Sequence, residues 1–255
     1  MLKLIDRIFT DKYANHAAIG DNYLLMLMYR FASPFAVFLN RLGMTPNWIT
    51  TLSVIFAVLA FTQLIVSDSW LSFCVCWTIA ILLDFCDGTV ARLSNRVSKN
   101  SFRYDQMSDL FKISLVILGV ALRYGSTWIW VLALSTVFFF LYNILLYREL
   151  WFATKNYGRH VVVGNVDTNN DRTQPPQTRL RDQFRIAGWL VQRGKLLKVM
   201  KTLYVILFTT NGHTLLVFYM FPLGEQYASM ALLYLILLTM IGIQIQIRAL
   251  IKIPR

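Results

Sequence analysis

Charge is scarce in this chain. Only 15% of its 255 residues are Asp, Glu, Lys or Arg, against a hydrophobic content of 56% and a mean hydropathy of +0.51. Soluble globular domains carry about 25% charged residues, so an ordinary soluble domain is excluded. Cysteine is scarce as well. Cys74, Cys76 and Cys86 are the full set, and all three sit in one apolar segment. That context excludes a disulfide framework and a zinc site and leaves packing as their role. The amino-terminal stretch MLKLIDRIFTDKYANHAAIGD lacks a long apolar core and a cleavage site, so it is not read as a signal peptide. No internal repeat is evident.

Long apolar runs are what the sequence has in plenty. Six segments approach the roughly 20 residues that a bilayer crossing needs. They lie at about 46–67, 69–92, 102–123, 127–149, 201–221 and 227–248. Before them, residues 22–42 are apolar but broken by Arg30, Pro34 and Arg41, which suits an interfacial helix with a kink at Pro34. Thr45 followed by Pro46 is a helix start, an N-cap residue and then proline at the first position. PLGEQ at 222–226 reads as a turn. The expected fold is therefore an all-α integral membrane protein, with 1–45 as a cytoplasmic or interfacial lead and 46–255 as a six-span membrane domain.

The net charge of +12 raises nucleic acid as a partner, but the placement of the charge argues for topology instead. Lys and Arg number 5 in residues 1–45, 4 in 92–103, 11 in 148–201 and 3 in 248–255, which is 23 of the 25. With six spans and a cytoplasmic amino terminus, all four regions fall on the cytoplasmic side, as the positive-inside rule requires. No nucleic acid is expected. The 150–200 segment is the one sizeable soluble piece, a polar loop followed by RIAGWLVQRGKLLKVMK, which reads as a basic amphipathic helix on the membrane surface.

Against this background the stretch 84–109, DFCDGTVARLSNRVSKNSFRYDQMSD, is anomalous. Asp84, Asp87, Gly88 and Ala91 fall at i, i+3, i+4 and i+7 and share one helix face; Asp105, Asp109 and Lys112 share a face of the next helix. An ionised Asp at the centre of a membrane helix costs roughly 2.5–3.5 kcal/mol even on a lenient scale. Four of them must share a cavity, and clustered carboxylate oxygens suit a hard divalent cation. If one helix ends near Arg92 and the next starts near Ser101, Asp84 and Asp109 each lie roughly 12 Å from the helix ends, and Asp87 and Asp105 roughly 6–8 Å. In an antiparallel hairpin they meet at matching depths, as a metal site that opens to the cytoplasm. Such a site suits a substrate with a phosphate part and a lipid part.

The spacing Asp84-x2-Asp87-Gly88-x2-Ala91-Arg92, then Asp105-x3-Asp109, resembles the signature of the CDP-alcohol phosphotransferase family, D-x2-D-G-x2-A-R-x8-G-x3-D-x3-D. Every position matches except the second glycine, which is Ser101 here. The resemblance covers spans one to three. It implies a metal-dependent enzyme that moves a phosphoalcohol, expected to be phosphatidyl, from a CDP-linked donor to an alcohol acceptor and releases CMP in phospholipid biosynthesis. The same chemistry with a soluble CDP-alcohol donor and a lipid alcohol acceptor is the alternative. By the same resemblance, Asp84, Asp87 and Asp105 would ligate two divalent cations, Mg2+ or Mn2+. Asp109 would join them or stand beside them and deprotonate the acceptor. Gly88 and Ala91 would make room for cytidine, and Arg92 and Ser101 would lie at the nucleotide end. A homodimer is implied too, and a bacterial inner membrane is the expected location.

Three further residues are candidates for substrate binding. Lys112, one turn beyond Asp109, is either a counter-ion to the carboxylates or a contact for an anionic group. Asn47 and Thr50 either line the cavity or serve capping and packing. Two rival classes remain. A cation transporter also holds acidic residues at membrane depth, but paired interrupted helices are absent. An inactive scaffold finds support only in Ser101. Metal-dependent CMP release separates both from an enzyme.

Overall fold

The computed structural model describes residues 9–10, 23–67, 69–95, 99–162 and 217–251. Among these the chain is helical, with six α-helices and one 3-10 helix and no strand. They are α1 (Tyr23–Arg41), α2 (Pro46–Val66), α3 (Trp70–Leu93), α4 (Lys99–Tyr124), α5 (Thr127–Val162), the 3-10 helix Val217–Leu223 and α6 (Glu225–Ile251). Helices α2, α3, α5 and α6 are long and apolar enough to cross a bilayer. Helix α4 matches them in length but carries Arg103, Asp105, Asp109, Lys112 and Arg123. The fifth expected span and the amphipathic helix of the 150–200 segment lie for the most part outside the described residues. Helix α5 runs on to Val162, past its expected end near 149, because nothing between 150 and 162 is a proline that would stop it.

The chain divides into two compact units, one of residues 1–134 and 202–232, the other of 135–201 and 233–255. The second is built on the later part of α5 and of α6, where the Asn143 side chain faces the bare backbone of Gly242.

The first unit carries the aspartates. Helix α1 packs on α3 through Ala32 and Ala36, both fully buried against Leu83, Cys86 and Val90. Small residues let the two backbones approach closely. The Cys86 thiol reaches the Ala32 carbonyl at 3.5 Å, so packing is indeed its role, and all three cysteines are free. Gly43 ends α1 with φ +76, and the Met44 amide returns to the Leu39 carbonyl at 3.1 Å while the Gly43 amide returns to Asn40 at 3.0 Å. This double return is a Schellman cap, whose left-handed residue is normally glycine. Gly43→Ala should therefore cost about 1–2 kcal/mol, read as a lower thermal midpoint in detergent with activity per folded molecule unchanged.

Thr45 and Pro46 open α2 as expected, with Thr45 Oγ1 accepting from the Trp48 amide at 3.4 Å. Thr50, Ser53, Ala57, Ala60 and Leu64 form the buried face of α2, the face of small side chains that α3 and α4 cover. Arg123 turns back to cap α2. Its Nη1 donates to the carbonyls of Leu64 at 2.6 Å and Ser67 at 2.8 Å. A cation on otherwise unpaired carbonyls at a helix C-terminus is favourable on both counts. At the same end of the unit, Trp77 stacks on Phe218 at 5.1 Å, and Thr78 and Tyr219 share a hydrogen bond of 2.7 Å, which ties the 3-10 helix to α3.

Candidate metal centre

Helices α3 and α4 form the hairpin that the spacing requires. α3 ends at Leu93 and α4 starts at Lys99, so the carboxylates of the two helices lie at matching depths. Asp84, Asp105 and Asp109 each offer one oxygen, and those oxygens lie within 4.8 Å of one another. Three convergent carboxylates of intermediate exposure are a hard, oxygen-only donor set, which fits a divalent cation such as Mg2+ or Mn2+.

Asp87 is set apart from this trio by burial and by its partner. It is 5% exposed, and Thr50 Oγ1 lies 2.5 Å from its Oδ2. The same hydroxyl is 3.1 Å from the Pro46 carbonyl. It has one proton to give, and the nearer, charged carboxylate is the stronger acceptor. Thr50 thus fixes the Asp87 carboxylate from α2. Asn47, by contrast, has an exposed side chain at the start of α2, and its carbonyl accepts from Thr51 Oγ1 at 2.8 Å.

Lys112 enters the cluster directly. Its ammonium pairs with Asp84 and, at 2.8 Å, with Asp109, and it donates to Ser53 Oγ at 3.2 Å. The ion pairs that its counter-ion reading requires are present.

Farther along α3, Gly88 lies under the Arg92 guanidinium. A Cβ built on Gly88 would meet Arg92 Nη1 at 3.4 Å and Nη2 at 3.5 Å. Arg92 also lies 5.4 Å from the centre of the Tyr29 ring, which packs edge-on against Phe85 at 5.1 Å. Ala91 is half-buried two turns beyond Asp84, and Ser101 falls in the first turn of α4. The residues around the motif that sequence reasoning passed over are Ser53 and Tyr29. Ser53 had a signal: it follows Thr50 at i+3, on the face of α2 where small and polar residues recur. Tyr29 had none, since its place depends on how α1 packs across α3.

A sequence profile of the CDP-alcohol phosphatidyltransferase family matches residues 43–170, half of the chain and the whole of the aspartate hairpin. The chain belongs to that family. No curated protein matches it. A CDP-alcohol phosphatidyltransferase is a transferase with a CDP-alcohol donor and an alcohol acceptor, and the apolar helices place this one in a membrane. The match spans α2 to α5 of the phosphatidyltransferase and so includes Thr50, Ser53 and Lys112 as well as the four aspartates.

Proposed function

We propose that the chain transfers a phosphatidyl group from CDP-diacylglycerol to a small polar alcohol and releases CMP. The observation that carries this is the meeting of Asp84, Asp105 and Asp109 at family-motif positions on two adjacent helices. In this reading the acceptor hydroxyl attacks the phosphorus that bears the lipid alcohol. The new P–O bond forms as the bond to CMP breaks, and CMP carries away the electron pair. Asp109 accepts the hydroxyl proton, which is general-base work. Asp84, Asp87 and Asp105 would hold divalent cation, Mg2+ or Mn2+, with Asp109 as a further ligand or beside them. Bound there, a divalent cation neutralises the donor's pyrophosphate and the departing phosphate.

Gly88 and Ala91 would make room for the cytidine once the Arg92 guanidinium over Gly88 moves aside, and Arg92 and Ser101 would stand at the nucleotide end. Asn47 is placed at the rim of the same site. Six spans with both termini and the site mouth in the cytoplasm, a homodimer and a bacterial inner membrane complete the proposal. The charge distribution supports the orientation.

The test is CMP release by purified protein given CDP-diacylglycerol and Mg2+ or Mn2+, across serine, inositol, inositol phosphate, glycerol phosphate and choline. One active acceptor identifies the substrate. If the panel is silent, CDP-alcohol donors with diacylglycerol test the reversed polarity, and silence there too sinks the transferase assignment for this chain.

Thr50 supplies a second check. Partners that orient metal-ligating carboxylates are worth roughly 10–100-fold in metal affinity. Thr50→Val should weaken Mn2+ binding by about that factor, because it removes the donor that fixes Asp87. Thr51→Val should leave it unchanged, since Thr51 touches Tyr104 at 2.8 Å rather than an aspartate. Equal effects of the two would rule out the positioning role.

A further inference from the structure

One cation is already built into the aspartate cluster. Lys112 is 5% exposed. An ammonium has three N–H donors, and three acceptors surround this one: Asp84 Oδ1, Asp109 Oδ1 at 2.8 Å and Ser53 Oγ at 3.2 Å. Ser53 is fully buried and gives its own proton to the Ala80 carbonyl at 2.8 Å, so a lone pair of its oxygen is left to face the ammonium. Side chains from α2, α3 and α4 thus hold a positive charge in one place, with every donor matched.

That place belongs to the metal cluster. Two of its three convergent carboxylates, Asp84 and Asp109, are the two that Lys112 engages. A divalent ion bridging those same two carboxylates would sit within a few ångströms of the ammonium. Like charges at that separation repel, the more so because the ammonium itself is buried. Lys112 forms its close ion pairs with Asp84 and Asp109, while Asp87, held by Thr50, and Asp105 feel its charge from farther off.

We infer that Lys112 is a resident cation that takes the place of one of the two divalent ions implied by the family signature. The chain would then bind a single exchangeable divalent cation, held by the carboxylates that Lys112 leaves available. Asp109, paired with Lys112 at 2.8 Å, would be kept for the proton-accepting role. The inference rests on the metal-dependent transferase reading and deepens it.

Mn2+ binding tests it. Purified protein in detergent is titrated with Mn2+, the free ion is read by electron paramagnetic resonance, and CMP release is measured on the same preparation. Wild-type should bind one Mn2+ per chain. Lys112→Met, of similar length but uncharged, should bind two, and Lys112→Arg, which keeps the charge, should stay at one. Two ions on wild-type overturn the inference whether or not any variant folds, and metal-dependent CMP release would then leave the transferase reading standing. One ion on both wild-type and a folded Lys112→Met overturns it as well. No Mn2+ on wild-type overturns the metal reading itself and this inference with it.

Discussion

Asp109→Asn should lower the rate of CMP release by about 100- to 10,000-fold, the range for loss of a general base, while the protein stays folded and keeps its Mn2+. Asparagine has the shape of aspartate and still offers Lys112 an oxygen, so the contact at 2.8 Å has a replacement. What it lacks is the ability to take a proton at neutral pH. Exposure favours this residue over two of the other aspartates. The Asp109 side chain is 45% exposed, against 30% for Asp84, and Asp87 is buried under Thr50. An acceptor hydroxyl reaches Asp109 with less rearrangement than either. The loss should fall on kcat, with KM for the CDP-linked donor little changed, because Asp109 acts on the acceptor. A variant within tenfold of wild-type would remove Asp109 from the proton-accepting role.

The second large effect belongs to Asp84→Asn. Asp84 is the shared member of the cluster: Lys112 bonds to it, and its ligand oxygen lies within 4.8 Å of those of Asp105 and Asp109. Removing its charge takes away a metal ligand and half of the counter-charge around a buried lysine at once. Mn2+ binding should disappear and CMP release should fall to background. Weakening a buried charged hydrogen bond costs about 1–3 kcal/mol, so the thermal midpoint should drop as well. Asp109 continues to hold Lys112, and the partial exposure of Asp84 lets water replace part of what is lost, which keeps the effect away from the larger cost of a fully orphaned charge. Wild-type Mn2+ affinity in a folded Asp84→Asn protein would show that the cluster is not the metal site.

The legibility of this protein follows from the physics of each feature. The aspartate hairpin was readable because helical periodicity alone puts residues 84, 87, 88 and 91 on one face, and no alternative pairs four carboxylates so cheaply in apolar sequence. The start of α2 was readable for the same local reason, since Thr45 and Pro46 act within one turn. The Arg123 cap was not legible because it depends on where α4 crosses the end of α2, and a composition argument sees only an arginine near a helix end. The setting of Lys112 was not legible because Ser53 and Asp84, which it bonds, come from two other helices. The span within α5 was readable, since Thr127–Leu150 matches the expected 127–149, whereas the helix itself continues to Val162 because a span ends in hydropathy terms well before a helix ends in hydrogen-bonding terms. Interhelical partners, in short, are where local pattern stops informing.

The most direct measurement is CMP release from CDP-diacylglycerol by the purified protein in detergent, with its active acceptor, first as prepared, then in excess EDTA, then with Mn2+ restored. The account predicts release that stops with EDTA and returns with Mn2+, and no such response in Asp84→Asn. Release that continues at the same rate in EDTA would contradict a metal-dependent transferase built on Asp84, Asp87, Asp105 and Asp109.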